Sequence, residues 1–227
     1  MYRKIRVSMS IVLLLSAVLI GKTMSVVVSS GQVEKETMKK SVVIDAGHGG
    51  SDPGKIGVNK SLEKDINLQI ALQVKEKLEK NKIKVVMTRE DGESLSSTDA
   101  TNHKADDMKK RVKIINESDA SIAVSIHQNS YSSEEVKGAQ VFYYTHSEEG
   151  KKMAEIMQEN FRLANPTNKR QAKENGTYYM LKKTKIPTII VECGFLSNWE
   201  ETELLNSPEY QDKMAQLICD GIVKILQ

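Results

Sequence analysis

The sequence predicts an α/β fold, a single domain over residues 41–227 with a mostly parallel or mixed central sheet flanked by helices. Three observations predict it. From Ser41 onward, short β-branched apolar runs alternate with longer amphipathic ones. Within 61–80, Leu62, Ile66, Ile70, Val74 and Leu78 recur every fourth residue with charges on the other side, the pattern of a helix with one core face. No repeat of roughly 20 to 50 residues is present, which excludes a solenoid or propeller.

Each element follows in order. The strands expected are 42–44, 83–87, 122–126, 140–144 and 188–191, all rich in Val, Ile, Thr or aromatic residues. Helices are expected at 61–80, 105–117, 148–163 and 208–226. The last opens on Pro208, which suits a first helical position because its missing N–H would have no partner there. The stretch 91–103 is rich in Ser, Thr and Asp and long for a connection, so it reads as a flexible surface loop, with a functional loop as the alternative.

Ahead of this domain, Arg3, Lys4 and Arg6 precede an apolar run from Val7 to Ile20. Such a run reaches only about 21 Å as a helix, short of a bilayer core of roughly 30 Å. Residues 1–30 are therefore expected to be an export signal peptide or an uncleaved signal anchor, and the polar residues 31–40 a linker.

Composition narrows the function. Apolar residues make up 39% of the 227, which with 13 glycines is ordinary for a globular protein. The net charge of +3 is uneven, since the first 30 residues hold Arg3, Lys4, Arg6 and Lys22 and no acid. The remainder carries 29 bases against 30 acids, so no basic stripe for nucleic acid is expected. Two cysteines, Cys193 and Cys219, exclude a disulfide framework or a cysteine-rich zinc module. Both read as packed thiols, with a pair between them as the alternative. A metal site would have to use His and carboxylates.

Two of the four histidines end apolar strands. His48 sits in Asp45-Ala-Gly-His-Gly-Gly50, where glycines allow close approach, and His127 ends Ser121-Ile-Ala-Val-Ser-Ile-His127. Parallel strands would present both imidazoles at the C-terminal sheet edge, where open α/β sheets bind ligands. Neither a P-loop nor a dinucleotide fingerprint fits the glycines. Asp45, three residues upstream, is the acceptor expected to hold the second nitrogen of His48. His103 and His146 read as solvated.

A third ligand is expected to be a carboxylate. Glu63 and Asp65, both in the first turn of the 61–80 helix, compete for it, and spacing leaves them open, as it does the reading of Glu63 as a helix-dipole acid. Asn67 lies one turn beyond Glu63. Glu192 ends the strand Thr188-Ile-Ile-Val191, where a bare carboxylate needs a function or an Arg partner.

Together, Ile44-Asp-Ala-Gly-His-Gly-Gly50, Glu63-Lys-Asp-Ile-Asn-Leu68, Thr88-Arg89, Arg111, Asn116, Ser125-Ile-His-Gln-Asn129, Gly138-Ala-Gln-Val-Phe-Tyr143 and Val191-Glu-Cys-Gly-Phe-Leu-Ser-Asn198 resemble the zinc-dependent N-acetylmuramoyl-L-alanine amidases of the amidase-3 type. The resemblance covers Ser41 to the C-terminus. It implies a Zn²⁺ cofactor held by His48, Glu63 and His127, with Glu192 passing a proton from water to the leaving amine. Asp45, Asn67 and Asn129 are supporting or substrate-binding candidates.

The short exported chain resembles the sporulation and germination branch of that family. That branch strips stem peptides from cortex muramic acid before muramic-δ-lactam forms, in the space between forespore and mother cell. A vegetative autolytic amidase is the alternative within the class. A catalytically silent peptidoglycan-binding module is the alternative outside it, and would lack ligands or Glu192. With no wall-binding repeat or regulatory helix in the sequence, a membrane-surface or lipoprotein partner is expected to activate the enzyme.

Overall fold

The computed structural model describes residues 40–227; the expected export segment lies outside the described residues, as does the linker apart from Lys40. Twelve elements follow Lys40. They are β1 (Ser41–Ala46), α1 (Glu63–Lys80), β2 (Lys84–Met87), α2 (His103–Glu117), β3 (Ile122–Asn129), β4 (Gln140–Tyr144), α3 (Glu148–Ala164), β5 (Lys173–Asn175), α4 (Tyr179–Lys183), β6 (Thr188–Phe195), α5 (Trp199–Leu205) and α6 (Pro208–Ile225).

The sheet order is β2-β1-β3-β6-β4-β5. The first four are mutually parallel, β4 runs antiparallel to β6, and β5 pairs parallel with β4. The mixed α/β sheet expected from the sequence is therefore present. Alternation along the strands feeds two cores. Val42, Ile44, Val124, Ile126 and Val191 pack with α1, α3 and α6, while Val43, Ala123, Phe142 and Ile190 pack with α2 and α4.

On α1 the periodic face is Ile66, Ile70, Val74 and Leu78, none more than 3% exposed. Burying each such side chain contributes about 1.5–3 kcal/mol. Side-chain caps start the polar-headed helices: Asn102 accepts from the Ala105 amide at α2, and Ser207 from the Tyr210 amide just before Pro208 at α6.

Three strands run further than their apolar cores suggest. β1 continues to Ala46, β3 to Asn129 and β6 to Phe195, because the parallel ladder pairs Ala46 with Ile126 and His127 with Glu192. Polar side chains at these ends hide the strand from a hydrophobicity reading. The short β5, α4 and α5 are not expected from periodicity, being three, five and seven residues long.

The 91–103 stretch is pinned rather than free. Leu95 and Ser97 amides donate to the Asp107 and Asp106 carboxylates, and the Gly50 amide donates to the Gly92 carbonyl. Its polarity serves helix α2 and the glycine loop. Both cysteines are buried and unpaired. Among the described residues, no helix is long and apolar enough to cross a membrane.

Candidate metal centre and catalytic groove

β1 and β3 end side by side and deliver His48 and His127 to the same edge, and the loop 47–62 folds back to bring in the first residue of α1. The result is a cluster in which one donor atom from each of His48, Glu63 and His127 lies within 4.8 Å of the others. Glu63 Oε1 is 3.2 Å from His48 Nε2 and 3.0 Å from His127 Nδ1. The two rings meet edge to face at 5.0 Å.

Glycine makes the approach feasible at two points. A Cβ on Gly47 would lie 2.2 Å from His127 Cε1, so the imidazole rests directly on backbone. Gly54, at φ +70°, would place a Cβ 2.5 Å from Glu63 Oε2. His48 itself takes φ 62°, a conformation that costs a non-glycine residue about 1 kcal/mol or more.

Two buried guanidinium groups hold that loop. Arg111 donates to the carbonyls of Ala46 and His48, and Arg89 to those of Ala46, Gly47 and Lys64. Arg111 also pairs with Asp45 at 2.8 Å and Asp107 at 2.6 Å, both partners buried. Burial and the neighbouring Arg111 push the Arg89 guanidinium down to about 10.

The expectation for Asp45 is corrected here. Its carboxylate accepts from Thr88 Oγ1, Ser125 Oγ and Arg111, and does not reach His48. Asp45 is still inside the pleated strand and faces the α2 side, whereas the chain has turned by His48. The acceptor at His48 Nδ1 is Asp52 Oδ2, at 2.8 Å. Asp52 in turn accepts from the Gly54 amide, and Lys104 lies 3.4 Å away. A sequence signal for Asp52 existed in its position four residues after His48, between Ser51 and Pro53 in a turn-rich segment.

Asp65 points to solvent, whereas Glu63, 2% exposed, is the acid that the fold brings to the two histidines. Glu63 accepts from the Lys55 and Gln128 amides and from Asn67 Nδ2. Burial alone would raise this carboxyl, but His127 and His48 hold it far below the usual carboxylate range. Burial likewise disfavours a charged His127, yet Glu63 raises its proton affinity. The cluster thus draws positive charge to its centre.

Asn67, fully buried, stands behind the cluster, donating to the Gly47 carbonyl and accepting from Gln128. Asn129 lines the groove but holds the Ser130 amide rather than a cluster donor. His103 contacts Ser96, and His146 stacks on Tyr144; both are exposed and away from the cluster.

Across the β3–β6 ladder, Glu192 pairs with His127. It is 8% exposed, and its Oε2 has no hydrogen-bond partner. No Arg pairs with it among the described residues, which removes the structural ion-pair reading. Burial, with Glu63 adding to it against His127 and His48, pushes its carboxyl up to about 7. Cys193 beside it is buried, its thiol pushed up by burial, and therefore no nucleophile.

The cluster and Glu192 open into a groove of about 390 Å³ walled by Lys55, Lys104, Met108, Tyr178, Tyr179 and Met180. Two imidazole nitrogens and a carboxylate oxygen form a donor set that fits a metal ion with a position left for substrate. Glu192 lines the same groove.

The family model described as N-acetylmuramoyl-L-alanine amidase, of the Amidase_3 type, matches residues 42–224. The germination-specific N-acetylmuramoyl-L-alanine amidase of Bacillus subtilis (strain 168) is 39% identical over 188 residues, covering 82% of this chain and 79% of that protein. The CwlD amidase from Clostridioides difficile, solved in complex with the GerS lipoprotein, superposes with a TM-score of 0.80 at 39% identity over 82% of this chain and 98% of that one. The catalytic domain of CwlV from Bacillus (Paenibacillus) polymyxa gives 0.71 at 34% identity, over 82% and 97%.

Proposed function

The chain belongs to the amidase-3 family of N-acetylmuramoyl-L-alanine amidases, and from that premise we propose that it hydrolyses the amide between the lactyl group of N-acetylmuramic acid and the L-alanine of the stem peptide, in spore-cortex peptidoglycan. The observation that carries the chemistry is the unpartnered Glu192 oxygen set across one strand ladder from the His48, Glu63 and His127 cluster.

His48, Glu63 and His127 are the ligands, and Zn²⁺ is the ion their two imidazoles and carboxylate suit. When bound, the ion supplies Lewis-acid polarisation of the scissile carbonyl and acidifies water. The chain's own residues do the rest. Asp52 fixes the His48 ring, and Asn67 with the Lys55 and Gln128 amides fixes Glu63. Glu192, its carboxyl pushed up to about 7 by burial, takes a proton from the attacking water on its carboxylate and hands it to the alanine nitrogen as the amide breaks. Tyr178, Tyr179 and Met180 line one wall of the groove.

Likeness to the germination-specific amidase and to CwlD supports the cortex as substrate. A peptidoglycan substrate calls for export, in keeping with the basic and apolar N-terminal sequence. The GerS complex of the Clostridioides difficile relative supports a lipoprotein partner for this chain. Mass spectrometry of cortex peptidoglycan digested by the protein, with and without chelator, tests the reading. Stem peptides beginning with free L-alanine, formed only without chelator, are expected; an intact lactyl–alanine amide in both digests overturns it.

A further inference from the structure

A second cavity, about 900 Å³, opens beside the end of α3, the 165–170 loop, α5 and α6, and it shares no residue with the catalytic groove. Phe161, Leu204 and Met214 give it apolar walls, and Lys169, Arg170 and Lys213 give it cations. Among the described residues no carboxylate lies within ion-pair distance of these three. Arg170 is held in place: Nε donates to the Lys137 carbonyl, one terminal nitrogen to Gln140 Oε1, and the guanidinium sits 4.4 Å over the Phe195 ring. Its other terminal nitrogen makes no hydrogen bond among the described residues. Glu200 and Glu201 also line the cavity, but Glu200 pairs with Lys137 and Glu201 is taken up by the Gly138 and Phe195 amides. A guanidinium fixed on three sides with a terminal nitrogen unbonded is thus organised to receive a carboxylate.

The cavity also adjoins the chemistry. Gln140, which accepts from Arg170, is the register partner of Glu192 on the neighbouring strand. One polymer running along the C-terminal sheet edge would pass both sites. Peptidoglycan is such a polymer, bearing short acidic peptides with alanine methyl groups at intervals along the glycan.

We propose that this cavity is a second peptide subsite, which grips an acidic stem peptide of the substrate polymer while a neighbouring one is cut. The inference rests on the amidase reading for the identity of the polymer. The apolar walls take the methyl groups, and the cations take the carboxylates. A concave cavity of this size suits a short peptide.

The single tryptophan of the chain provides the readout. Trp199 is 55% exposed and immediately precedes Glu200 on the cavity rim. The full chain is titrated with free L-Ala-γ-D-Glu-diaminopimelate, following Trp199 fluorescence. A saturable change is expected, weakened about tenfold in a Lys169→Glu, Lys213→Glu double variant and similarly by amidating the peptide carboxylates. Both lysines are exposed, so the fold is retained, as a thermal melt will show. KM for polymeric peptidoglycan is expected to rise several-fold in the same variant. Equal peptide affinity for variant and parent, or no tryptophan response at millimolar peptide, overturns the subsite and leaves the cavity to a protein partner. Failure of the parent to cleave intact muropeptides would instead overturn the amidase reading, without touching the titration.

Discussion

Asp52 Oδ2 lies 2.8 Å from His48 Nδ1, so a carboxylate four residues along the same loop turns the opposite ring nitrogen, Nε2, toward Glu63. Partners of this kind typically account for about 10–100-fold in metal affinity. Asp52→Ala is expected to weaken metal binding within that range while the fold persists, as read by competition with a chromophoric chelator. Unchanged affinity would mean that the loop backbone, clamped by Arg89 and Arg111, orients the ring by itself.

Glu192 is assigned proton transfer rather than ligation, because its free oxygen accepts no bond and its carboxyl is pushed up to about 7 by burial. Glu192→Gln is therefore expected to keep stoichiometric metal by elemental analysis and to lose at least ~100-fold in kcat. Glu63→Ala should lose the metal. The reverse pattern in the two variants would exchange the roles of the glutamates.

The two histidines and Glu192 were legible in the sequence because each ends an apolar strand, and parallel strands must end at a common edge. Glu63 was not decided by spacing. Its place depends on the fifteen-residue path from Gly47 to Ser61, where turns at Gly54 and Lys60 set which face of α1 meets the cluster, and periodicity says nothing about such turns. Asp45 was misread for a related reason. Proximity along the chain suggested His48, but the pleat commits Asp45 to Arg111, 66 positions away. Buried Arg89 and Arg111 were visible only through resemblance, since an isolated Arg in sequence gives no sign of turning inward to cap loop carbonyls.

Asp45 gives an acid-stability signature. Burial would raise its carboxyl, but Arg111, Ser125 and Thr88 together hold it at about 2 against an ordinary 3.8. A folded-state value below the unfolded one means stability that is complete above about pH 4 and is lost as pH falls through about 2. The size is about 2 kcal/mol. Urea unfolding of metal-free protein should show this loss in the parent. Asp45→Asn should be less stable at neutral pH, with Asp107 left as the one carboxylate partner of the buried Arg111, and should lack this step. Equal slopes between pH 4 and 2 in both proteins would place the titration elsewhere.

Gly47 offers the sharpest steric test of the cluster. The missing side chain is what allows His127 to lie on the backbone next to His48, since a Cβ there would fall 2.2 Å from Cε1 and 2.4 Å from Nε2 of the ring. Neither side has an easy escape. The Gly47 amide donates to the Ile126 carbonyl, and its own carbonyl accepts from Asn67 and Arg89, so the backbone is held from both directions. The His127 ring is the movable part. Its rotation out of the way would carry Nδ1 from Glu63 and leave two of the three proposed ligands in place. Gly47→Ala is thus expected to fold, to melt a few degrees lower, and to lose about as much metal affinity as His127→Ala, whereas Gly92→Ala, at a position with open space around it, should match the parent. Full metal occupancy in Gly47→Ala at the parent's affinity would show that His127 is not a ligand in the geometry described.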